Sequence, residues 1–293
     1  MFSVLLPVYN GERWLGEAIQ SVMDQTFKEF ECLILCNGCT DSSADIATEM
    51  TADDDRFVVH KLHLANKANA LNFGVCFSKH QWLAPIDADD KWLPEKLQTQ
   101  YNFISQNPAV DIIGTQLDYF GTLECAAPRN PCSHDEIYEC YSRGKNPLPF
   151  PSVVYKKNVH LRGVGFFNTS HFVIEDYDFW QRCRHSGMIM VNLPNVLLHY
   201  RIHGNAANSR VKDQKKQDGG VTTESIQTDS IVTARQTIAK AITDAMYVSC
   251  DDVEKMPTSW GLIGFLRKFD RQYPKGDGTP VNSTDNMKVD HED

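Results

Sequence analysis

From Phe2 to Ile86 the chain alternates short apolar runs with stretches of helical period, a pattern that few architectures accommodate. Phe2 to Val8 is a continuous apolar run stopped by Asn10-Gly11, as expected of a strand buried on both faces. Glu12 to Met23 follows with apolar residues at Leu15, Ala18, Ile19, Val22 and Met23, which is helical spacing. Glu31 to Leu35, Phe57 to Leu62 and Gln81 to Ile86 read as further strands, separated by helices over Asp45 to Met50 and Ala68 to Phe77. Strands and helices in strict alternation with short loops imply crossover connections. The expected fold is therefore α/β, a Rossmann-like and mostly parallel sheet flanked by helices, with ligands at the carboxyl ends of the strands.

Beyond Asp90 the pattern continues with a helix over Pro94 to Gln106 and a strand over Asp111 to Tyr119. Pro128 to Pro151 is proline-rich and irregular, with a short helix near Glu136 to Tyr141. A helix over Glu175 to His185, with Tyr177, Trp180 and Gln181 on one side, precedes two short strands, Met188 to Asn192 and Val196 to Tyr200. Past Asn208 the character changes. Lys212 to Gly220 is a polar linker, Thr222 to Tyr247 reads as a helix, and the residues from Tyr273 onward have the composition of a disordered tail. The division expected is one α/β domain over 1–208, a helical C-terminal extension over 209–272 and a tail over 273–293. Gly261 to Lys268, apolar residues followed by cations, is a candidate either for capping the core or for a peripheral membrane contact.

Charge and cysteine content limit the partners. Acidic residues outnumber Lys plus Arg by 38 to 29, so the overall field of a chain with net charge -9 disfavours nucleic acid. Polyphosphate binding must then be local or metal-assisted. No run approaches the roughly 20 apolar residues of a membrane span, and the first residues lack the pattern of a signal peptide. Cys32, Cys36 and Cys39 lack the second pair that a zinc site needs and read as free thiols, which fits a reducing cytoplasm.

Polar motifs follow three separate strands: Pro7-Val8-Tyr9-Asn10, Asn37-Gly38-Cys39-Thr40-Asp41 and Asp87-Ala88-Asp89-Asp90. In a parallel sheet these distant positions meet in one crevice. Asp87, Asp89 and Asp90 repel one another, and carboxylates grouped at the end of a buried strand call for a cation; oxygen ligands imply Mg2+ or Mn2+. A helix cap before Trp92-Leu93-Pro94 accounts for one of these carboxylates and leaves the others unexplained. Asp89 is the first choice as direct ligand, with Asp87 and Asp90 assigned to ribose hydroxyls or water.

Pro7 to Glu12, Asn37 to Ser42, Asn66 to Gly74, Asp87 to Asp90 and Glu175 to Asp178 occur in the order seen in family 2 glycosyltransferases. The resemblance covers roughly Phe2 to Asn208 and implies a GT-A fold, with 1–119 binding a nucleotide-sugar and 120–208 supplying the acceptor side. It implies that Pro7, Val8, Tyr9 and Glu12 border the base and ribose, and that Asn37 and Asp41 lie beside them. Asn37 and Cys39 stand where the family usually has Asp and Ser. An amide donates as well as accepts, so Asn37 can still pair with a base edge, but the identity of the base is left open. Lys67, with Asn72 five residues on, is placed to meet the diphosphate, and Asp176 to act as the catalytic base that takes the acceptor proton. Arg201 is placed to meet phosphate and His203 to complete the metal shell. The implied activity is inverting, metal-dependent transfer of a sugar to a saccharide or lipid-linked hydroxyl in polysaccharide or glycoconjugate synthesis. A non-catalytic nucleotide-sugar-binding homologue is one alternative. A sugar nucleotidyltransferase is another, disfavoured because Val8 to Trp14 holds one glycine and only Arg13 as a cation.

Overall fold

The computed structural model describes residues 1–170 and 174–204. Four strands, β1 (Phe2–Val8), β2 (Phe30–Asn37), β3 (Phe57–Leu62) and β4 (Trp82–Pro85), pair in parallel in the order β3-β2-β1-β4. Between them run α1 (Leu15–Met23), α2 (Ser43–Met50) and α3 (Lys67–Phe77). Every residue of β1 and β2 is buried, which is why these strands are mostly apolar rather than alternating, with the buried Ser3 and Glu31 paired to each other. Side chains still alternate between faces. Leu5, Leu33 and Leu35 pack with α3, while Val4, Leu6, Ile34 and Cys36 pack with α1 and Ala47 of α2. Each fully buried leucine or isoleucine in these layers contributes about 2 kcal/mol of apolar burial.

The second half departs from a parallel sheet. After β5 (Lys91–Trp92) and α4 (Lys96–Gln106) come β6 (Ile112–Gly121), β7 (Cys125–Ala126), α5 (His134–Ser142), β8 (Val154–Lys156), α6 (Glu175–His185) and β9 (Met190–Ile202). Among the described residues the sheet has nine strands in the order β3-β2-β1-β4-β8-β6-β9-β5, with β7 on the edge of β6. β8 is antiparallel to both β4 and β6, and β5 is antiparallel to β9, while the long β6–β9 ladder is parallel, so the sheet is mixed with its most extensive ladders parallel. Helices flank it as expected.

Two element boundaries differ for identifiable reasons. The first helix begins at Leu15 rather than Glu12, because the Glu12 amide donates to Asp41 and its carboxylate accepts from the Ser42 amide. The two short strands expected near 188–200 are a single strand, β9. Its ladder with β6 steps from Gly114↔Asn192 to Gln116↔Val196, so the irregularity takes up Pro194, which has no amide hydrogen to give. The Gln116 side chain donates to the Leu193 carbonyl at 3.3 Å and ties the step down.

Trp180 is fully buried beside Phe150, Tyr155 and Phe179, and so fills the core. The described cysteines are free thiols. No helix among the described residues is long and apolar enough to cross a membrane. The extension expected over 209–272, the Thr222 to Tyr247 helix, the Gly261 to Lys268 segment and the tail from 273 lie outside the described residues.

Asn72, fully buried on α3, links the two halves: its amide donates to the Phe167 carbonyl and accepts from the Phe167 amide, both at 2.9 Å. Removing it leaves both backbone groups of Phe167 without a partner. Asn72→Ala should lower stability by about 3 kcal/mol in urea unfolding; a loss below about 1 kcal/mol would show that the clamp does not hold the halves together.

Candidate active site

The carboxyl ends of β1 and β2 are fastened to each other. Asn10 adopts a left-handed conformation (φ 48°) that turns its side chain back to accept from the Thr40 amide at 2.9 Å. The Glu12 amide donates to Asp41 Oδ2 and the Ser42 amide to Glu12 Oε2, both at 3.1 Å. Ser43 Oγ accepts from the Gly11 amide at 2.8 Å and donates to Asp41 Oδ1 at 2.6 Å. Burial opposes ionisation of Asp41, but the Ser43 hydroxyl and the backbone amides outweigh it and hold the carboxyl below its ordinary value. Asn37 is buried, and its amide donates to the Val8 carbonyl at 2.6 Å. Pro7 and Val8 are likewise buried as the last two residues of β1, whereas Tyr9, just beyond its end, is 51% exposed.

After β4 the three aspartates face three environments. Asp90 is 1% exposed, accepts from the Arg201 amide at 2.8 Å, and leaves Oδ2 without a hydrogen-bond partner. Burial first, and then the charge of Asp89, raises its carboxyl well above the usual range. Its geometry fastens the end of β9 to the acidic turn. Asp89 points to that strand end, with Oδ2 2.8 Å from His203 Nε2. Asp87 points toward α3 and pairs with Lys67 Nζ at 2.7 Å.

Arg201 is 6% exposed, and its guanidinium is spent inside the fold. It lies between the rings of Trp14 and Phe120, at 4.1 and 4.2 Å, with Nε donating to the Asp89 carbonyl and Nη2 3.0 Å from Glu17 Oε1. The His203 ring sits 5.9 Å from that of Trp14, so one packed group sets the positions of both Asp89 and His203.

Lys67, at the start of α3, joins this region to the second carboxylate centre. Its Nζ lies 3.3 Å from Glu175 Oε1 as well as 2.7 Å from Asp87, above the Phe150 ring. Burial disfavours the ammonium, yet the charges of Asp87 and Glu175 prevail and hold its pKa well above that of a free lysine. Asp176 follows at the first turn of α6, with Oδ1 accepting from the Tyr177 amide at 2.7 Å and Oδ2 3.4 Å from Asn146 Nδ2. The protein packed around it, and then the Glu175 carboxylate, push Asp176 up to about 6 against the pull of Lys67. That is the range of a carboxylate able to accept a proton near neutral pH.

The fold thus brings Tyr9, Glu12, Asp41, Lys67, Asp87, Asp89, Asp176 and His203 to the strand ends of one sheet, while the side chains of Asn37, Asn72 and Arg201 are engaged in holding the frame. Sequence reasoning missed Trp14, Glu17 and Asn146. Trp14 and Glu17 lie on or next to a helix whose apolar spacing gave them no special standing, and Asn146 comes from the irregular 128–151 stretch. Among the described residues no three His, Cys, Asp or Glu side chains form a ready metal cage. Asp89 and His203 do offer one oxygen and one nitrogen at 2.8 Å on facing segments. Two protein ligands completed by phosphate oxygens and water is a usual way to hold Mg2+.

A sequence model of the family described as glycosyl transferase family 2 matches residues 3–150. The O-antigen biosynthesis glycosyltransferase WbnJ of Escherichia coli is 30% identical over 209 residues, 69% of this chain and 80% of that protein. The amylovoran biosynthesis glycosyltransferase AmsE of Erwinia amylovora is 29% identical over 216 residues, 72% and 79% of the two chains. Among solved structures, S. aureus TarS 1-349 in complex with UDP-GlcNAc superposes with a TM-score of 0.60 at 16% identity, covering 93% of this chain and 81% of that one. The mannosyltransferase PcManGT of Pyrobaculum calidifontis, in complex with GDP-Man and Mn2+, gives 0.55 at 14% identity over the same shares. Likeness at those identities establishes the GT-A fold. The family match over half the chain, and relatives named as glycosyltransferases over most of it, establish that this chain belongs to glycosyl transferase family 2.

Proposed function

We propose that this glycosyltransferase transfers a sugar, with inversion, from a nucleoside-diphosphate donor to a hydroxyl group of a growing surface polysaccharide or glycoconjugate. The observation that supports the reading is the Lys67 bridge, which joins Asp87, from the same turn as the Asp89–His203 pair, to Glu175, the neighbour of Asp176. In this reading the Asp89–His203 end serves the leaving group and the Asp176 end serves the acceptor. Donor recognition is supported by the crystal neighbours bound to UDP-GlcNAc and GDP-Man, and the acceptor class by relatives named for O-antigen and amylovoran biosynthesis.

In this reading the exposed Tyr9 ring covers the base, while Glu12 and Asp41, pinned to each other's loops, define the edge of the ribose site. Asp89 and His203 would hold Mg2+ or Mn2+, which when bound supplies positive charge beside the departing diphosphate. Lys67 is already bound by Asp87 and Glu175. Its charge offsets theirs and so weakens their repulsion of an incoming diphosphate. Asp176 accepts the proton of the acceptor hydroxyl as its oxygen attacks the anomeric carbon, and Asn146 fixes the direction of its second oxygen.

Purified protein incubated with Mn2+ and a panel of nucleotide sugars should release a nucleoside diphosphate from one of them. Asp176→Asn should reduce turnover by about 10²- to 10⁴-fold with donor affinity kept; full activity in that variant would remove Asp176 from the mechanism, and donor binding without turnover in the native protein would favour a binding homologue. For Asp89→Ala, calorimetry of nucleoside diphosphate with and without Mn2+ should lose the metal-dependent gain in affinity; a gain equal to that of the native protein would contradict the ligand assignment. Because the base must be unprotonated and its pKa is raised to about 6, kcat/KM should fall as the pH drops through about 6. A profile flat down to the ordinary aspartate range would show that Asp176 does not titrate in the reaction.

A further inference from the structure

The second motif contains a feature that the transfer reaction does not use. Cys36-Asn37-Gly38-Cys39 has C-x-x-C spacing, and it stands at the end of a strand in a βαβ unit. Cys36 is the penultimate residue of β2, 2% exposed, with its side chain on the face that packs against α1. Gly38 reverses the chain with φ +68°, and a Cβ there would stand 2.7 Å from the Ala65 backbone nitrogen, so the turn is tight and requires glycine. The reversal returns Cys39 to the same face. Its thiol packs against the same core cluster, donates to the Val8 carbonyl at 3.3 Å and interacts with the Cys36 thiol.

The two sulfurs are chemically unequal. Cys39 is partly exposed, whereas Cys36 is enclosed, the division expected of an attacking thiol and a resolving thiol. The interaction with Cys36 outweighs the burial of Cys39 and lowers its pKa to about 7, while the same contact and burial raise Cys36. Cys39 is also joined to the donor side of the crevice. Val8, whose carbonyl it contacts, lies under Gly11, where a Cβ would meet Val8 Cγ1 at 3.3 Å and Ala88 Cβ at 3.5 Å. Thr40 and Asp41, the next two residues, hold Asn10 and Glu12.

We propose that Cys36 and Cys39 form a reversible disulfide that acts as a redox switch on the nucleotide end of the crevice. The oxidant is a small-molecule disulfide. The Cys39 thiolate attacks one of its sulfurs, forming a mixed disulfide and expelling one thiolate; Cys36 then loses its proton, attacks the Cys39 sulfur and expels the second. Two protein thiols give up two electrons and two protons, and the oxidant leaves as two thiols. Closing the bond draws the Cys39 sulfur from the Val8 carbonyl toward Cys36, which shifts Thr40 and Asp41 away from Asn10 and Glu12. The loops that border the base and ribose then separate. The loss of donor affinity rests on the proposed nucleotide-sugar reading; the disulfide itself does not.

The test equilibrates the full chain in buffers of reduced and oxidised glutathione, maps disulfides by peptide mass spectrometry, and measures binding of UDP and GDP with Mn2+ at each ratio. A Cys36–Cys39 bond is expected to appear before any bond to the exposed Cys125 or Cys132, and nucleotide affinity to fall about tenfold, equivalent to about 1.4 kcal/mol, and to recover on reduction. In Cys39→Ala, which lacks the attacking thiol, affinity should no longer respond to the glutathione ratio. Oxidation that leaves Cys36 and Cys39 as thiols, or traps Cys39 only as a glutathione adduct, would overturn the proposal. So would a Cys36–Cys39 bond that leaves affinity unchanged. If the reduced protein binds neither nucleotide while the bond still forms, the failure belongs to the proposed function and the disulfide assignment stands.

Discussion

The ion-pair bridge through Lys67 is the constraint on which the rest of the site depends. One ammonium touches Asp87 at the end of β4 and Glu175 at the start of α6, residues supplied by opposite halves of the domain. Without it, the buried carboxylates of two centres would face one another across the crevice, and an unpaired charge of that kind costs more than the pair itself gains. The bridge also divides the chemistry. Asp87 turns to Lys67 while Asp89 faces His203, and Asp176 keeps a raised pKa because burial and the Glu175 charge outweigh the pull of Lys67.

Around that bridge, polar side chains act chiefly as fasteners. Asn72 clamps Phe167, Asn66 accepts from the Asn69 amide while donating to the Thr169 carbonyl, and Asp90 grips the Arg201 amide. Arg201 in turn is held between two aromatic rings and pinned by Glu17, so its charge organises the Asp89 turn rather than reaching out of it. Preorganisation of this kind matters for a transfer reaction, since donors and acceptors of charge must already be in place when charge develops. It is obtained here by using buried amides and one guanidinium as scaffolding.

The parallel half of the fold was legible because apolar runs and helical periods report burial directly, and Phe2 to Ile86 keeps to those two signals. The mixed half was not. β8 is three residues long and pairs antiparallel on both sides, and the ladder irregularity opposite Pro194 breaks the periodicity that would mark β9 as one strand. The convergence of candidate residues at strand ends was legible for a related reason, since topology alone brings Tyr9, Asp41 and Asp89 to the same end of the sheet. Whether a polar side chain faces ligand or frame was hidden. Asn37, Asn72 and Arg201 have the same chemistry in either role, and only the positions of Val8, Phe167 and Trp14 show where their hydrogen bonds and rings are spent. Asn146 carried no signal at all, because its contact with Asp176 spans 30 residues and arises from an irregular loop.

The central claim is that leaving-group stabilisation and proton acceptance act from opposite sides of one crevice, in a single displacement. The anomeric configuration of the first-formed product, read by proton NMR during turnover of a donor of known configuration, tests it most directly. Inversion at the anomeric carbon is the result this arrangement predicts. A product that retains the donor's configuration from the first turnover would contradict it, because retention requires a second displacement or front-side attack that Asp176 acting as base does not provide.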